Sequence, residues 1–315
     1  MQHDITVGVD GSAASLAAAH WAAAEAGRRG AGLTVLHTWH RHVRPASGVP
    51  AGTGEYERAR TVLGQAVHGL RAAHPGLLIT ERLVCDSPVG ALVSAAAGSD
   101  LLVLGSLGLG ALGGFVTGSV SQRVVARADR PVVLVRAGRG TSDDHLPAAD
   151  GIAPEEIPRT PYREVVLGLD TGEPCDETVA FAFEAARLRG TGLRVVHAFR
   201  TPLRAVTDSS LVIALPATER LATGPVAEAA AQARADAEHT VAAVAHAWRD
   251  KYPEVPVTWS AVEGRAASVL VHEAHDAGLL VVGRRGGHRL GAHLGPVAHA
   301  ALHHVPCPVA VVPHA

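Results

Sequence analysis

The sequence predicts an α/β protein made of two tandem copies of one fold, each a five-stranded, mainly parallel sheet flanked by helices. The length of 315 residues is about twice that of a typical domain. Short Val, Ile and Leu runs alternate with Ala-rich helical stretches, as in parallel strands joined by crossover helices. The chain also repeats itself: ITVGVDGS at 5–12 matches VVLGLDTG at 165–172, and RGAGLTVLHTW at 29–39 matches RGTGLRVVHAF at 189–199.

The elements of the first copy follow from these patterns in order. Near-continuous apolar runs, typical of strands buried on both faces, predict strands over 5–10, 33–39, 78–84, 101–105 and 131–136. The Ala-rich stretches between them predict helices over 13–29, 55–73, 88–97 and 119–128. Gly30 and Gly32 follow the first predicted helix, and Gly190 and Gly192 follow its equivalent, where glycine commonly ends a helix.

The repeat also predicts the division of the chain. We expect one domain over 1–138 and a second over 163–315, joined by a linker over 139–162 that is rich in Gly, Pro and Asp. The second copy carries about 18 extra residues, because the offset between the copies grows from 160 to 178. The irregular segment 200–225 accounts for this insertion, and the following stretch 226–250 predicts a long helix.

Composition excludes several classes of function. The formal net charge of −2 provides no basic surface for nucleic acid, and no apolar run approaches the roughly 20 residues that span a bilayer. The N-terminus has no basic segment followed by an apolar one, so we expect a cytoplasmic protein. Cys85, Cys175 and Cys307 are too far apart to indicate a disulfide framework or a CxxC metal site.

The glycines of the stretch GSLGLGALGGFVTGSVS carry the clearest chemical signal. Gly105, Gly108, Gly118 and Ser119 give the spacing G-x2-G-x9-G-S between a predicted strand and a predicted helix. We expect Gly105 to turn the chain off the strand and Gly108 to let the backbone approach a ligand. Gly118 and Ser119 would present free N–H groups at a helix N-terminus, and the hydroxyls of Ser119 and Ser121 could add donors. The stretch therefore predicts a phosphate cradle.

Together with VGVDGS at the end of the first predicted strand, this motif resembles the ATP-binding subgroup of the universal stress protein family. The resemblance covers nearly the whole chain as two tandem domains. It implies Rossmann-like (adenine nucleotide alpha hydrolase-like) domains and a bound ATP, with Mg2+, lying across the strand ends. It also implies a set of contacts to adenosine, ribose and phosphates, made by Asp10, Gly11, Ser12, Thr38, Trp39, Gly105, Gly108, Gly118, Ser119, Val120 and Ser121.

Simpler interpretations of these residues stay open. The glycines could be loop and packing residues only. Asp10 could be no more than the N-cap of the helix predicted over 13–29. Trp39 could be a packing residue at a strand end rather than a contact to adenine.

The second copy departs from the glycine spacing. Gly283 and Gly286 keep the first interval, but Gly295 follows after eight residues instead of nine, and Pro296 replaces the serine. Proline has no N–H to donate, so one donor and one hydroxyl are lost together. We expect a weak or degenerate second site, whose candidate residues are Asp170, Gly283, Gly286, Gly295 and Val297. Three arginines could compensate in part for these lost donors by binding phosphate: Arg284, Arg285 and Arg289.

Histidines and catalytic patterns give weaker signals. His299 and His303 share one helix face, with His293 and His304 nearby, but no third ligand or HExxH motif identifies a metal site. The equivalent residues His37 and His197 suggest a common structural role, and pH sensing by them stays open. No catalytic triad or paired carboxylates stand out, so we expect a protein that is not an enzyme, although slow ATP hydrolysis stays open.

The resemblance implies an ATP-binding universal stress protein that acts as a nucleotide-responsive stress regulator. The alternatives are a slow ATPase or phosphotransferase, a nucleotide-free interaction protein, and a receptor for an adenosine-derived messenger. The expected partners are an adenine nucleotide and an unknown regulatory protein, with no nucleic acid and no membrane. The last strands, VVLVR at 132–136 and VAVVP at 309–313, are short and apolar and could lie at sheet edges, where exposed edges favour pairing. The resemblance implies that the two domains pair through this region as an internal pseudo-dimer, or that two chains pair as a homodimer.

Overall fold

The computed structural model describes residues 4–40, 53–106, 119–147, 160–172, 174–201, 224–286 and 294–314. Within these ranges the β-strands are β1 Asp4–Gly8, β2 Gly32–Trp39, β3 Ile79–Cys85, β4 Leu101–Ser106, β5 Val132–Arg136, β6 Val165–Gly168, β7 Leu193–Phe199, β8 Val257–Glu263, β9 Leu279–Arg285 and β10 Val309–His314. The α-helices are α1 Ala13–Arg29, α2 Thr53–Ala73, α3 Pro88–Ala97, α4 Ser119–Val125, α5 Asp176–Arg189, α6 Gly224–Arg249, α7 Ala266–Glu273 and α8 Pro296–His304.

All ten strands form one sheet in the order β3-β2-β1-β4-β5-β10-β9-β6-β7-β8. Neighbours are parallel within each half, and the two halves meet where β5 pairs antiparallel with β10, with Val311 opposite Val132. The predicted α/β class is therefore confirmed, and the two five-stranded parallel halves are joined into one sheet. The last strands pair with each other, as expected for an internal pseudo-dimer, so neither is left at an edge of the sheet.

Local signals explain where the helices begin and end. Ser12 caps α1 by accepting a hydrogen bond from the Ser15 amide, and Gly30 ends the helix in the left-handed conformation at φ 61°. Gly190 ends α5 in the same way. α4 ends at Val125, three residues earlier than predicted, and β1 ends at Gly8 instead of residue 10.

The apolar core consists of two layers, one on each face of the sheet. One layer packs α1, α2, α5 and α6 against the strands, and the other packs α3, α4, α7 and α8. Each layer contains residues from both halves of the chain, so the two copies share their cores across the β5–β10 junction. The residues that face each layer alternate along the strands, as the pleat of a sheet requires.

Polar contacts also join the halves. On one face Glu25 of α1 contacts Arg189 of α5 at 2.8 Å. On the other face Arg284 of β9 donates to the Ala128 carbonyl, and Gln122 Nε2 lies 2.9 Å from His303 Nε2. These contacts and the shared core fix how the two halves are arranged.

The described parts of the predicted linker pack against the domains. Thr141–Asp144 form a 3-10 helix, and His145 pairs with Tyr162 through an isolated bridge. Asp144 and His145 are buried. Most of the predicted insertion 200–225 lies outside the described residues. Among those that are described, no helix combines the length and apolar character needed to cross a membrane.

Candidate functional site

A cavity of about 390 Å3 opens at the carboxyl ends of β1, β2 and β4. It lies beside the point where the strand order reverses, which is where open parallel sheets bind ligands. Its apolar wall includes Leu36, Leu92 and Leu104. Its polar lining consists of Asp10, Ser12, Ser15, His37, Thr38, Ser119 and Ser121.

Asp10 stands at the mouth of this cavity, just beyond β1. Its Oδ1 accepts a hydrogen bond from the Ser12 amide at 2.9 Å, and its own amide donates to Ser15 Oγ at 3.2 Å. The side chain that caps α1 is Ser12, so the interpretation of Asp10 as the helix N-cap is wrong. Burial alone would raise the pKa of Asp10, but hydrogen bonds from Ser12 and Ser15 hold it below its usual value. The carboxylate is therefore charged at neutral pH.

The end of β2 contributes Thr38 and His37 to the cavity. His37 Nδ1 lies 2.6 Å from the Val9 carbonyl, and His197 Nδ1 lies 3.0 Å from the equivalent Leu169 carbonyl. Because a carbonyl only accepts, each ring carries its proton on Nδ1 and ties the second strand of its half to the first. The common structural role expected for the two histidines is confirmed.

Trp39 lies one residue further along β2, outside the lining of the cavity. Its ring meets the ring of Tyr56 edge to face, with centroids 5.6 Å apart. The side chain thus packs between β2 and α2. Any contact from this strand end to a ligand in the cavity would be made by the backbone at Thr38.

Gly105 does not turn the chain off the strand, as was expected from the sequence. It lies inside β4, and a Cβ there would sit 2.5–2.7 Å from backbone atoms of Ala14 and Ser15. The glycine is required because the first turn of α1 crosses directly over β4. Ser121 Oγ donates to the Gly105 carbonyl at 3.1 Å, which ties α4 to the end of β4.

The first turn of α4 completes the wall of the cavity. Ser119, Val120 and Ser121 all line it, and the first amides of a helix have no intrahelical acceptor. Ser119 is exposed. Of the other predicted residues, Gly11 has φ 83° in the turn before α1, while Gly108 and Gly118 lie outside the described residues.

The second half contains an equivalent cavity of about 520 Å3 at the ends of β6, β7 and β9. Asp170 lines it and accepts a hydrogen bond from the Gly172 amide at 3.0 Å, as Asp10 does from Ser12. It also pairs with Arg285, whose Nη2 lies 2.9 Å from Asp170 Oδ2. Gly283 lies in β9 against the His314 ring.

The remaining predicted residues of the second site are placed as follows. Gly295 caps α8 without a side-chain hydrogen bond, Pro296 begins the helix, and Val297 lines the cavity. Gly286 is outside the lining, and its amide donates to the His314 carbonyl at 2.6 Å. Arg284 lines the cavity as well, and its Nη2 donates to the Ala128 carbonyl across the junction of the two halves. Arg289 lies outside the described residues.

The sequence interpretation missed some of the lining. Ser15 was not singled out, although its hydroxyl bonds the Asp10 amide and the Ser12 carbonyl. It lies three residues after a helix cap, which places it on the same side of α1 as Ser12 and could have identified it. Leu92 gave no signal, because nothing local shows that α3 passes below the end of β1.

The histidine cluster on α8 packs against itself and against α4. The rings of His299 and His303 are 4.4 Å apart, and His303 contacts Gln122. Within the described ranges, no group of three or more His, Cys, Asp or Glu residues is placed to hold a metal ion. His293 lies outside those ranges.

Comparisons with known proteins agree with the repeat and the fold. A sequence profile of the universal stress protein family matches residues 1–136 and 161–313. Universal stress protein Rv2005c of Mycobacterium tuberculosis H37Rv is 33% identical over 319 residues, which cover 98% of this chain and 97% of that protein. A crystal structure of a universal stress protein from Archaeoglobus fulgidus shares the fold, with a TM-score of 0.65 at 16% identity over 99% of this chain and 98% of its own. A universal stress protein solved in complex with cAMP is 28% identical and covers 43% of this chain and 98% of its own, with a TM-score of 0.35.

Proposed function

The chain belongs to the universal stress protein family, and from this premise we propose that its first half binds ATP with Mg2+ and acts as a nucleotide-responsive regulator of the stress response. The observation that carries the proposal is the lining of the first cavity. It combines one carboxylate, several hydroxyls and the first amides of a helix at the ends of parallel strands. Nucleotides bind at this position in folds of this class, with phosphates against a helix N-terminus.

Each part of the cavity suits one part of the nucleotide. The apolar wall around Leu36 and Leu92 would take the base, and the backbone at Thr38 would hydrogen-bond its edge. The hydroxyl of Ser119 and the first amides of α4 would hold phosphate oxygens. The Ser121 hydroxyl is not among these donors, because it already donates to the Gly105 carbonyl. Asp10 is anionic, so a divalent cation would offset its repulsion of the phosphates.

The same lining supports a regulator rather than a fast enzyme. Rapid phosphoryl transfer needs a cation at the γ-phosphate and a group that orients the attacking nucleophile. The described lining of the first cavity includes neither lysine nor arginine, and the Nδ1 proton of His37 is held by the Val9 carbonyl. Bound ATP would therefore act by stabilising one conformation over another, which a partner protein could recognise.

A matched pair of variants tests the proposal. Val120 and Val297 are equivalent residues, each partly buried at the start of the helix that lines its own cavity. In Val120→Trp the indole would fill the first cavity, so calorimetric titration of nucleotide-stripped protein with Mg-ATP should show no binding. Val297→Trp should bind as the wild type does. Loss of ATP binding in Val297→Trp alone, or no binding to folded wild type, would contradict the proposal.

A further inference from the structure

Two polar side chains at the carboxyl ends of β4 and β5 have a buried atom without a hydrogen-bond partner. The atoms are the Ser106 hydroxyl oxygen and Arg136 Nη2, and neither is hydrogen-bonded to any part of the chain that the structure describes. Ser106 is only 2% exposed. Buried polar atoms of native proteins are almost always hydrogen-bonded, so an unpartnered pair indicates a bound water molecule or ion.

The two residues lie side by side on one face of the sheet. Ser106 and Arg136 are directly paired in the ladder between β4 and β5. Leu104 and Leu134, two residues before them, belong to the core layer that contains α4 and α8. Because side chains alternate along a strand, Ser106 and Arg136 face this same layer.

The groups that face them from the second half are basic. Burial lowers the pKa of His303 on α8, and the charges of His299, His304 and Arg136 lower it further. Gln122 of α4 contacts His303 across the junction of the two halves. We name this set of side chains the junction cluster: Ser106, Gln122, Arg136 and His303.

No carboxylate within the described ranges pairs with Arg136. Burial lowers the pKa of its guanidinium, Cys307 opposes this shift and Arg139 adds to it. The Cys307 thiol is not a counter-ion, because burial raises its pKa to about 12 and leaves it uncharged at neutral pH. Three other arginines with an unpartnered buried nitrogen each contact a glutamate: Arg28, Arg29 and Arg194. A water molecule could satisfy the hydrogen bonds at Arg136 but not its charge, which favours an anion.

The repeat supplies a contrast at the equivalent positions of the second half. Arg284 stands where the first half has Ser106, and Pro313 stands where it has Arg136. Arg284 Nη2 crosses the junction and donates to the Ala128 carbonyl. The arginine on that side of the junction therefore has a partner in the protein, whereas Nη2 of Arg136 has none among the described residues.

We propose that the junction cluster binds a small inorganic oxyanion, such as phosphate, between the two halves of the chain. The guanidinium of Arg136 provides the charge and an N–H donor, and the Ser106 hydroxyl provides a second donor. His303 belongs to the other half, so the bound ion would stabilise the junction from both sides. Neither Ser106 nor Arg136 lines the first or the second cavity, and the proposal therefore does not depend on nucleotide binding.

The experiment is a calorimetric titration of the nucleotide-stripped full chain with inorganic phosphate, at an ionic strength kept constant with chloride. One phosphate per chain should still bind when Val120→Trp and Val297→Trp together fill both cavities. In that background Arg136→Gln and Ser106→Ala should each weaken phosphate binding about tenfold or more, as expected for the loss of a hydrogen bond to a charged group. The matched control is Arg123→Gln, which removes the same charge from an exposed position of α4 and should leave phosphate binding unchanged.

Three results would overturn the proposal. If the protein with both cavities filled binds no phosphate, water alone satisfies the two buried atoms. If phosphate binds but neither Arg136→Gln nor Ser106→Ala weakens it, the ion lies elsewhere. If Arg136→Gln abolishes ATP binding in the otherwise wild-type chain, the arginine serves the nucleotide instead. Should Arg136→Gln fail to fold, Ser106→Ala decides, because it removes only a hydroxyl. Failure of wild type to bind ATP would end the proposed function and leave the phosphate result standing.

Discussion

Glu25 Oε2 and Arg189 Nη2 lie 2.8 Å apart across the junction of the two halves, and each side chain is only 1% exposed. Arg28 and Arg29, one turn further along α1, contact the same carboxylate at 3.0 and 2.7 Å. The repeat does not supply this contact twice, because the residue equivalent to Glu25 is Ala185. One buried carboxylate thus holds three arginines from both copies, which favours a single arrangement of the two halves.

Replacing Glu25 with glutamine should destabilise the protein strongly. The variant keeps the shape of the side chain but removes the carboxylate that pairs with the fully buried Arg189. Breaking a buried pair in this way typically costs about 3–5 kcal/mol of the free energy of unfolding. Chemical denaturation of Glu25→Gln and wild type measures the difference.

The matched control is Glu81→Gln. Glu81 pairs with Arg71 at 3.1 Å, but its side chain is 42% exposed. Exposed pairs contribute about 1 kcal/mol or less, so this variant should unfold almost as the wild type does. Equal effects of the two substitutions would show that burial of the Glu25 cluster is not what stabilises the junction.

The same carboxylate should make stability depend on pH in acid. Burial alone would raise the pKa of Glu25, but Arg189, Arg29 and Arg28 hold it far below its ordinary value of 4.5. The stabilisation is therefore complete above about pH 4.5 and is lost as the pH falls further, because the unfolded chain takes up the proton first. Unfolding curves measured from pH 7 to pH 3 give the difference in the free energy of unfolding between wild type and Glu25→Gln. This difference should stay constant down to about pH 5 and become smaller below it. A difference that widens in acid would contradict this assignment.

Gly105 should tolerate no side chain, for reasons of packing. The Cβ of Gly105→Ala would meet the backbone of Ala14 and Ser15 at 2.5–2.7 Å, and backbone cannot move aside as a flexible side chain can. We expect a loss of about 1–3 kcal/mol in the free energy of unfolding. Gly27→Ala is the control: nothing lies within 4 Å of its Cβ position in α1, so it should stabilise by about 0.5–1 kcal/mol. Similar thermal shifts of the same sign in both variants would rule out the close approach at Gly105.

Features encoded by neighbouring residues could be predicted from the sequence. The bounds of α1 match the prediction because Ser12 and Gly30 cap its two ends. The short apolar strand that ends each copy indicated an edge that favours pairing, and the family resemblance implied that the two halves pair there, as β5 and β10 do. The cavity position follows from the strand order, which parallel crossover connections largely determine.

Features that depend on distant residues could not be predicted. Gly105 was expected to turn the chain, because the sequence does not reveal that α1 crosses β4 about 90 residues later in the chain. Arg284 was expected only as a phosphate ligand, because the sequence does not reveal that it also donates to the Ala128 carbonyl in the other half of the chain. The helix α4 ends at Val125. This end could not be predicted, because the apolar pattern of the sequence continues beyond Val125 towards Pro131.

We expect one working nucleotide site per chain, located in the first half. Equilibrium dialysis of nucleotide-stripped wild type against labelled ATP with Mg2+, at concentrations that saturate the tighter site, counts the sites directly. We expect one bound ATP per chain. Two equivalent sites would show that Pro296 does not prevent phosphate binding, and no binding to folded protein would remove the nucleotide from the function altogether.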